Sequence, residues 1–119
     1  MSALGHHVLA EFTGCDAAAL ADLERVTSAM LQAAEASGAT VITHSFHHFS
    51  PHGISGAVII AESHLAIHTW PEYHFAAVDF FSCGGVDMDR GLAVLKAALG
   101  ATEETRLALE RGPLRQIQP

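Results

Sequence analysis

Basic side chains are scarce in this chain. Six Lys and Arg stand against thirteen Asp and Glu, a formal net charge of −7. Nonspecific nucleic-acid binding depends on neutralising phosphates, so this balance argues against it. It suits a cationic small molecule, although an acidic surface also serves solubility alone. Cysteine is nearly absent too. Cys15 and Cys83 are the only two, too few for a disulfide framework and more consistent with free thiols in a reducing compartment. No apolar run in the sequence reaches the roughly 20 residues that span a bilayer. The opening MSALGHHVLAEF has neither a basic n-region nor an apolar h-region. The expected location is therefore the cytoplasm, with no nucleic-acid or membrane partner. Three motifs are missing as well. There is no GxSxG elbow, no HExxH and no paired CxxC, which counts against a serine hydrolase of that type and against the common zinc enzymes.

Half of the 119 residues are hydrophobic, so a disordered chain is excluded and one core is expected, in a single domain over residues 1–119. Alternation predicts a strand over 6–13. Apolar residues at Leu20, Leu23, Val26, Met30, Leu31 and Ala34 recur at helical spacing. They predict one helix over 16–37, capped by Asp16 and stopped by Gly38. Further strands are expected over 40–49, 54–61, 64–69 and 75–81, with Ser50-Pro51-His52-Gly53 as a turn. A second helix starts at Asp87 or Asp89 and ends near Gly100. Residues 105–109 can form an edge strand. Consecutive strands joined by short turns favour antiparallel pairing. The expected fold class is α+β, a two-layer sandwich of an antiparallel β-sheet with two helices on one face. The other apolar face then calls for a partner, most simply a second copy of the chain.

Chemistry concentrates in residues 61–85, AESHLAIHTWPEYHFAAVDFFSCGG. Ser63, His68 and Cys83 are types that perform acyl and proton transfer. A lone serine between strands is ordinarily a turn residue, and a lone cysteine ordinarily a small apolar filler. A triad of Ser63, His68 and Asp79 is conceivable. Ser63 and His68 are five apart, however, so an uninterrupted strand sends them to opposite faces. A triad needs a break between them. The nine histidines invite a metal reading, with His44, His47, His48 and His52 clustered and His64 and His68 four apart. None matches a recognised zinc spacing, and no metal is expected.

The segment 61–73, Ala-Glu-Ser-His-Leu-Ala-Ile-His-Thr-Trp-Pro-Glu-Tyr, resembles the self-processing segment of the short, prokaryotic S-adenosylmethionine decarboxylases. Leu4-Gly5-His6-His7, Ala10-Glu11-Phe12, Ser37-Gly38-Ala39-Thr40, Phe46-His47 and residues 50–56 extend the likeness over about the first hundred residues. The resemblance implies a proenzyme that cuts itself between Glu62 and Ser63 into a β chain, 1–62, and an α chain, 63–119. Ser63 attacks the Glu62 carbonyl, an ester forms, and elimination leaves a pyruvoyl group as the cofactor. By the same resemblance His68 removes the α-proton and Ser55 assists processing. The ketone then forms a Schiff base with the substrate amine and acts as electron sink, a task pyridoxal phosphate performs elsewhere. Cys83 is implied as the acid that reprotonates the product, Glu72 as a substrate ligand, and Phe46 and Phe49 as a stacking surface for adenine. The family's pocket lies at a dimer interface, so a homodimer or higher homo-oligomer of processed chains is expected.

Three positions depart from the pattern. His7 and His48 each stand where an arginine is common, and His74 where a Tyr-Gly-aromatic sequence has no side chain. They leave the substrate open at this stage between S-adenosylmethionine, for spermidine synthesis, and a basic amino acid such as arginine or ornithine. A carboxylate at Glu72 can hold either kind of ligand. A nonprocessing regulatory relative and a metal-binding module are the readings from other classes.

Overall fold

Three aspartates start the three α-helices of the computed structural model, which describes residues 2–117. Met1, Gln118 and Pro119, included in the expected domain over 1–119, lie outside the described residues. Asp16 accepts from the Ala18 N–H and opens α1, Ala17–Leu20. Asp22 accepts from the Arg25 N–H and opens α2, Leu23–Ala36. Asp87 does the same with Arg90 at α3, Met88–Leu99, which ends at Gly100 in the left-handed conformation. The single helix expected over 16–37 is thus two. Ala21 closes the first, and Asp22, with an extended backbone, restarts the second by satisfying a free N–H. Apolar spacing alone does not register such a restart.

Six strands follow the expected order: β1 Ala3–Thr13, β2 Val41–His48, β3 Ile54–Ile60, β4 Ser63–Trp70, β5 Phe75–Ser82 and β6 Glu103–Pro113. A 3₁₀ turn, Pro71–Tyr73, links β4 to β5. All pairs are antiparallel, in the order β2-β3-β4-β5-β1-β6. The strand expected at 6–13 begins earlier, and the tail forms a full edge strand rather than a short one over 105–109. One cause accounts for both, since β1 and β6 pair from Ala3↔Pro113 to Thr13↔Glu103.

Strand alternation divides the sheet into two faces. Phe12, Leu65, Ile67 and Phe80 point to the helix layer and are fully buried against Met30, Leu95 and Leu99. Gly91 permits the close approach of α3 to α2, since a Cβ there would lie 2.9 Å from the Ala33 carbonyl oxygen. Ile59, Trp70, Leu107 and Leu109 occupy the opposite face and are exposed. No helix among the described residues is long and apolar enough to cross a membrane.

Removing the second restart tests its weight. Asp22→Ala should lower stability by about 1 kcal/mol and the melting temperature by roughly 4 °C, with Asp22→Asn close to the original. An unchanged melting curve for Asp22→Ala would mean that α2 starts without this bond.

Candidate active site

Strand β4 is hydrogen-bonded to β3 on one side and β5 on the other, and it carries functional groups at both ends. At its start, pairing of Ile60 with Ser63 leaves Ala61 and Glu62 as a two-residue hairpin turn. Glu62 has φ +62°. A left-handed conformation costs a non-glycine residue about 1–3 kcal/mol. Among the described residues only Glu62 and His74 show it without being glycine. The Ser63 Oγ accepts a hydrogen bond from the Cys83 N–H at 3.3 Å. Cys83 follows directly on β5 and its thiol is free and exposed. The Glu62 carbonyl, the Ser63 hydroxyl and Cys83 are therefore brought to one edge of the sheet.

The other end of β4 carries a different group. Ser55 and His68 are cross-strand partners, with Oγ and Nδ1 2.8 Å apart. They border a cleft of about 230 Å³ that Phe49, His52, Trp70 and Glu72 also line. Its floor is fixed by Thr69, whose hydroxyl donates to the Leu20 carbonyl and accepts from the Ile54 N–H, both at 2.9 Å. Trp70 lies beside His68, ring centroids 6.4 Å apart, and against Phe75 at 5.4 Å.

These two ends do not meet within one chain. Strand β4 runs unbroken from Ser63 to Trp70, and five residues at about 3.3 Å each separate Ser63 from His68 by roughly 16 Å. Ser63 shares the parity of the buried Leu65 and Ile67, whereas His68 points to the exposed face. The break that a Ser63–His68–Asp79 triad requires is absent. Asp79 pairs across from Ala66 and lies 3.8 Å from His7 Nε2.

Other expected residues are distributed as follows. Phe49 and Glu72 line the cleft, but Phe46 does not. It covers Gly56 on the helix side, where a Cβ would fall 2.0 Å from its ring. Neither His48 nor His74 lines the cleft. His48 ends the exposed edge strand β2. The left-handed turn at position 74 explains why a glycine suits it, and the His74 imidazole is turned to the Cys15 carbonyl, 3.0 Å from Nδ1. Among the described residues no three His, Cys, Asp or Glu side chains converge to hold a metal ion.

One group was missed by sequence reasoning. His64, Phe81 and His7 form a row across β4, β5 and β1. Only strand register brings positions 7, 64 and 81 together, so no linear spacing announces them. The His7 Nδ1 accepts from the Arg111 guanidinium at 3.2 Å, while its Nε2 is buried without a hydrogen-bond partner. Burial lowers the His7 pKa below the ordinary 6.5; Asp79 opposes this, and His64 and Arg111 add to it. Burial also pushes the Cys15 thiol up.

The chain is similar to one family of known proteins over most of its length. The family model described as S-adenosylmethionine decarboxylase matches residues 6–112. The S-adenosylmethionine decarboxylase proenzyme of Acidithiobacillus ferrooxidans is 52% identical over 113 residues, covering 94% of this chain and 85% of that protein. The proenzyme of Thermotoga maritima is 48% identical over 118 residues, covering 98% and 91%. The crystal structure of the adenosylmethionine decarboxylase from Aquifex aeolicus VF5 superposes with a TM-score of 0.87 at 30% identity, over 100% of this chain and 99% of that one.

The His7 environment generates a titration test. Its folded pKa is depressed, so between 6.5 and that lower value the unfolded chain binds more protons. Its contribution to stability is therefore full above 6.5 and falls as pH drops through that window. NMR titration should show His7 below 6.5, and Asp79→Asn should lower it further. A midpoint above 6.5 would contradict the burial argument.

Proposed function

The chain belongs to the S-adenosylmethionine decarboxylase family, and on that premise we propose that it is a self-processing proenzyme that decarboxylates S-adenosylmethionine, yielding the aminopropyl donor for spermidine synthesis. The observation that carries the proposal is the hairpin tip. The Glu62 carbonyl sits in a strained left-handed turn beside a serine whose hydroxyl oxygen is already held by the Cys83 N–H. The names of the relatives favour the adenosyl substrate over arginine or ornithine.

Processing follows from these groups. Ser63 Oγ bonds to the Glu62 carbonyl carbon and the C–N bond breaks, giving an ester and a free amine at residue 63. A base takes the α-proton of residue 63, and the Glu62 carboxylate leaves with the Cβ–O electron pair. Hydrolysis of the resulting dehydroalanine releases ammonia and leaves a pyruvoyl group on the 63–119 fragment. The residues present fit that group, because residue 63 lies at an accessible turn with a free thiol next to it. When formed, it supplies a ketone that bonds the substrate amine and draws in the electron pair released with CO₂. Cys83, free and exposed beside residue 63, returns a proton to the decarboxylated carbon. Glu72 and Phe49, both lining the cleft, hold the ribose and the adenine.

His68 serves as the base, assisted by Ser55, but not for the Ser63 of its own chain. A separation of roughly 16 Å along β4 is too long for direct proton transfer. A second copy solves this. Pairing two chains about a two-fold axis sets the start of β4 in one copy beside the end of β4 in the other, with Ser63 reached around the hairpin tip. One chain's Ser63 and Cys83 then meet the partner copy's Ser55–His68 end, and the exposed Leu107, Leu109 and Ile59 leave water. The proposal is a cytoplasmic homodimer, or a higher assembly of such pairs.

Mass spectrometry of the purified protein should give fragments 1–62 and 63–119, the second blocked at its start, with CO₂ released from S-adenosylmethionine. Ser63→Ala should remain one chain. An uncleaved, inactive protein would overturn the proposal, and turnover of arginine or ornithine alone would change the substrate. Shared sites are tested by co-expression. Neither Ser63→Ala nor His68→Ala should process alone. In the mixture the His68→Ala chain should be cleaved, because it supplies Ser63 while the other variant supplies His68. Failure in a verified mixed dimer would refute sites shared between copies.

A further inference from the structure

Cleavage at residue 63, on which this inference rests, converts an interior residue of the hairpin into a chain end. Chain ends fray unless something ties them down, and the group formed at residue 63 must keep one position relative to Cys83. The next residue, His64, is unusually well tied. Its ring stacks on Phe81 with centroids 5.7 Å apart and planes 14° from parallel. His7 meets Phe81 edge-on at 5.5 Å and 88°, and meets His64 at 6.0 Å and 84°. The rings project from directly paired positions, His64↔Phe81 and His7↔Phe81. Arg111 on β6 donates to His7 from the far side at 3.2 Å. Gly5 leaves the space this row occupies, since a Cβ there would come within 2.6 Å of the Phe81 ring. Residue 64 is thereby anchored through β4, β5, β1 and β6.

We propose that His64 is a positioning residue: its ring, clamped on Phe81 and backed by His7, keeps residue 63 in register with Cys83 after the bond to Glu62 is gone. The clamp acts through the flat face of the ring, so its protons are dispensable. Cross-strand aromatic pairs hold their strands together through such contacts. A phenylalanine at 64 should replace the histidine, and an alanine should not. Loss of Phe81 should reproduce loss of His64.

His64→Ala, His64→Phe and Phe81→Leu are compared with the unmodified protein for cleavage, for amide hydrogen exchange of residues 63–70 after cleavage, and for steady-state kinetics with S-adenosylmethionine. All should cleave. His64→Ala and Phe81→Leu should exchange faster at the start of β4 and lose kcat by about tenfold, the order expected for a displaced reacting group held by one ring pair. Their KM should stay within about twofold. His64→Phe should restore both exchange and kcat. Unmodified exchange in His64→Ala overturns the clamp. So does a His64→Phe variant as impaired as His64→Ala, which would point to imidazole chemistry. So does a folded His64→Ala that is not cleaved while Phe81→Leu is. If the unmodified protein is not cleaved, the proposed function and the clamp both fail; if it is cleaved and His64→Ala is unaffected, only the clamp fails.

Discussion

Double pairing of β4 governs everything else in the molecule. With β3 paired along residues 63–68 and β5 along residues 64–70, this strand is held on both sides over its central part, and its register cannot slip without turning its buried face to water. Leu65 and Ile67 fix that face against the helix layer. The positions of Ser63 and His68 follow with no remaining freedom. One lies at the hairpin tip and one at the mouth of the cleft, on opposite sides of the sheet. A chain with this constraint cannot build one compact centre from these two residues. Under the proposed function, association is therefore part of the site and not an addition to it. Ile59, Leu107 and Leu109 are exposed on the open face, and the proposed pairing would bury them.

The same sheet explains how the chain can survive the proposed cut. Between Ile60 and Ser63 the chain makes only a two-residue turn, so breaking it leaves the pairing of β4 from His64 onward intact. The two fragments are also interleaved. Residues 1–62 contribute β1, β2 and β3 and residues 63–119 contribute β4, β5 and β6, in the order β2-β3-β4-β5-β1-β6. Separation would break the β3–β4, β5–β1 and β1–β6 pairings together, and would split α2 from α3 as well. Strain in the left-handed Glu62 is relieved by the cut, while the core on the helix side is untouched.

Much of this was legible in the sequence. Period-two alternation marks β1, because it has one face in the core and one outside it. Asp16, Asp87 and Gly100 mark helix ends through local hydrogen bonding. The split at Asp22 was not legible, since Leu20, Leu23 and Val26 keep their helical spacing across it. Nor was the full length of β6, whose partner β1 is about a hundred residues away. The motif block identified Ser63, His68 and Cys83, and even the parity problem between Ser63 and His68 could be read from their spacing. What spacing could not supply was the answer to it, because pairing register is a property of several strands at once. His74 shows the same limit: a histidine in place of glycine looks like a change to a pocket, until the backbone shows that its conformation and its bond to Cys15 turn it away.

Division of labour between the two faces of the sheet completes the argument. The helix side holds large aliphatic and aromatic residues, with the buried Thr69 hydroxyl satisfied by Leu20 and Ile54, and supplies rigidity. The open side carries His7, His64, His68, Asp79 and Arg111 among exposed aliphatic side chains. Buried polar groups are costly unless each finds a partner. Arg111 reaching His7, Ser55 reaching His68, and the depressed pKa that keeps His7 neutral are how this face meets that requirement within one chain. The His7 Nε2 remains unpartnered. It is the one buried polar side-chain atom, among the described residues, that the isolated subunit leaves unsatisfied. An unmet donor on the face argued to close against a second copy is what a surface built for association, and not for water, would carry.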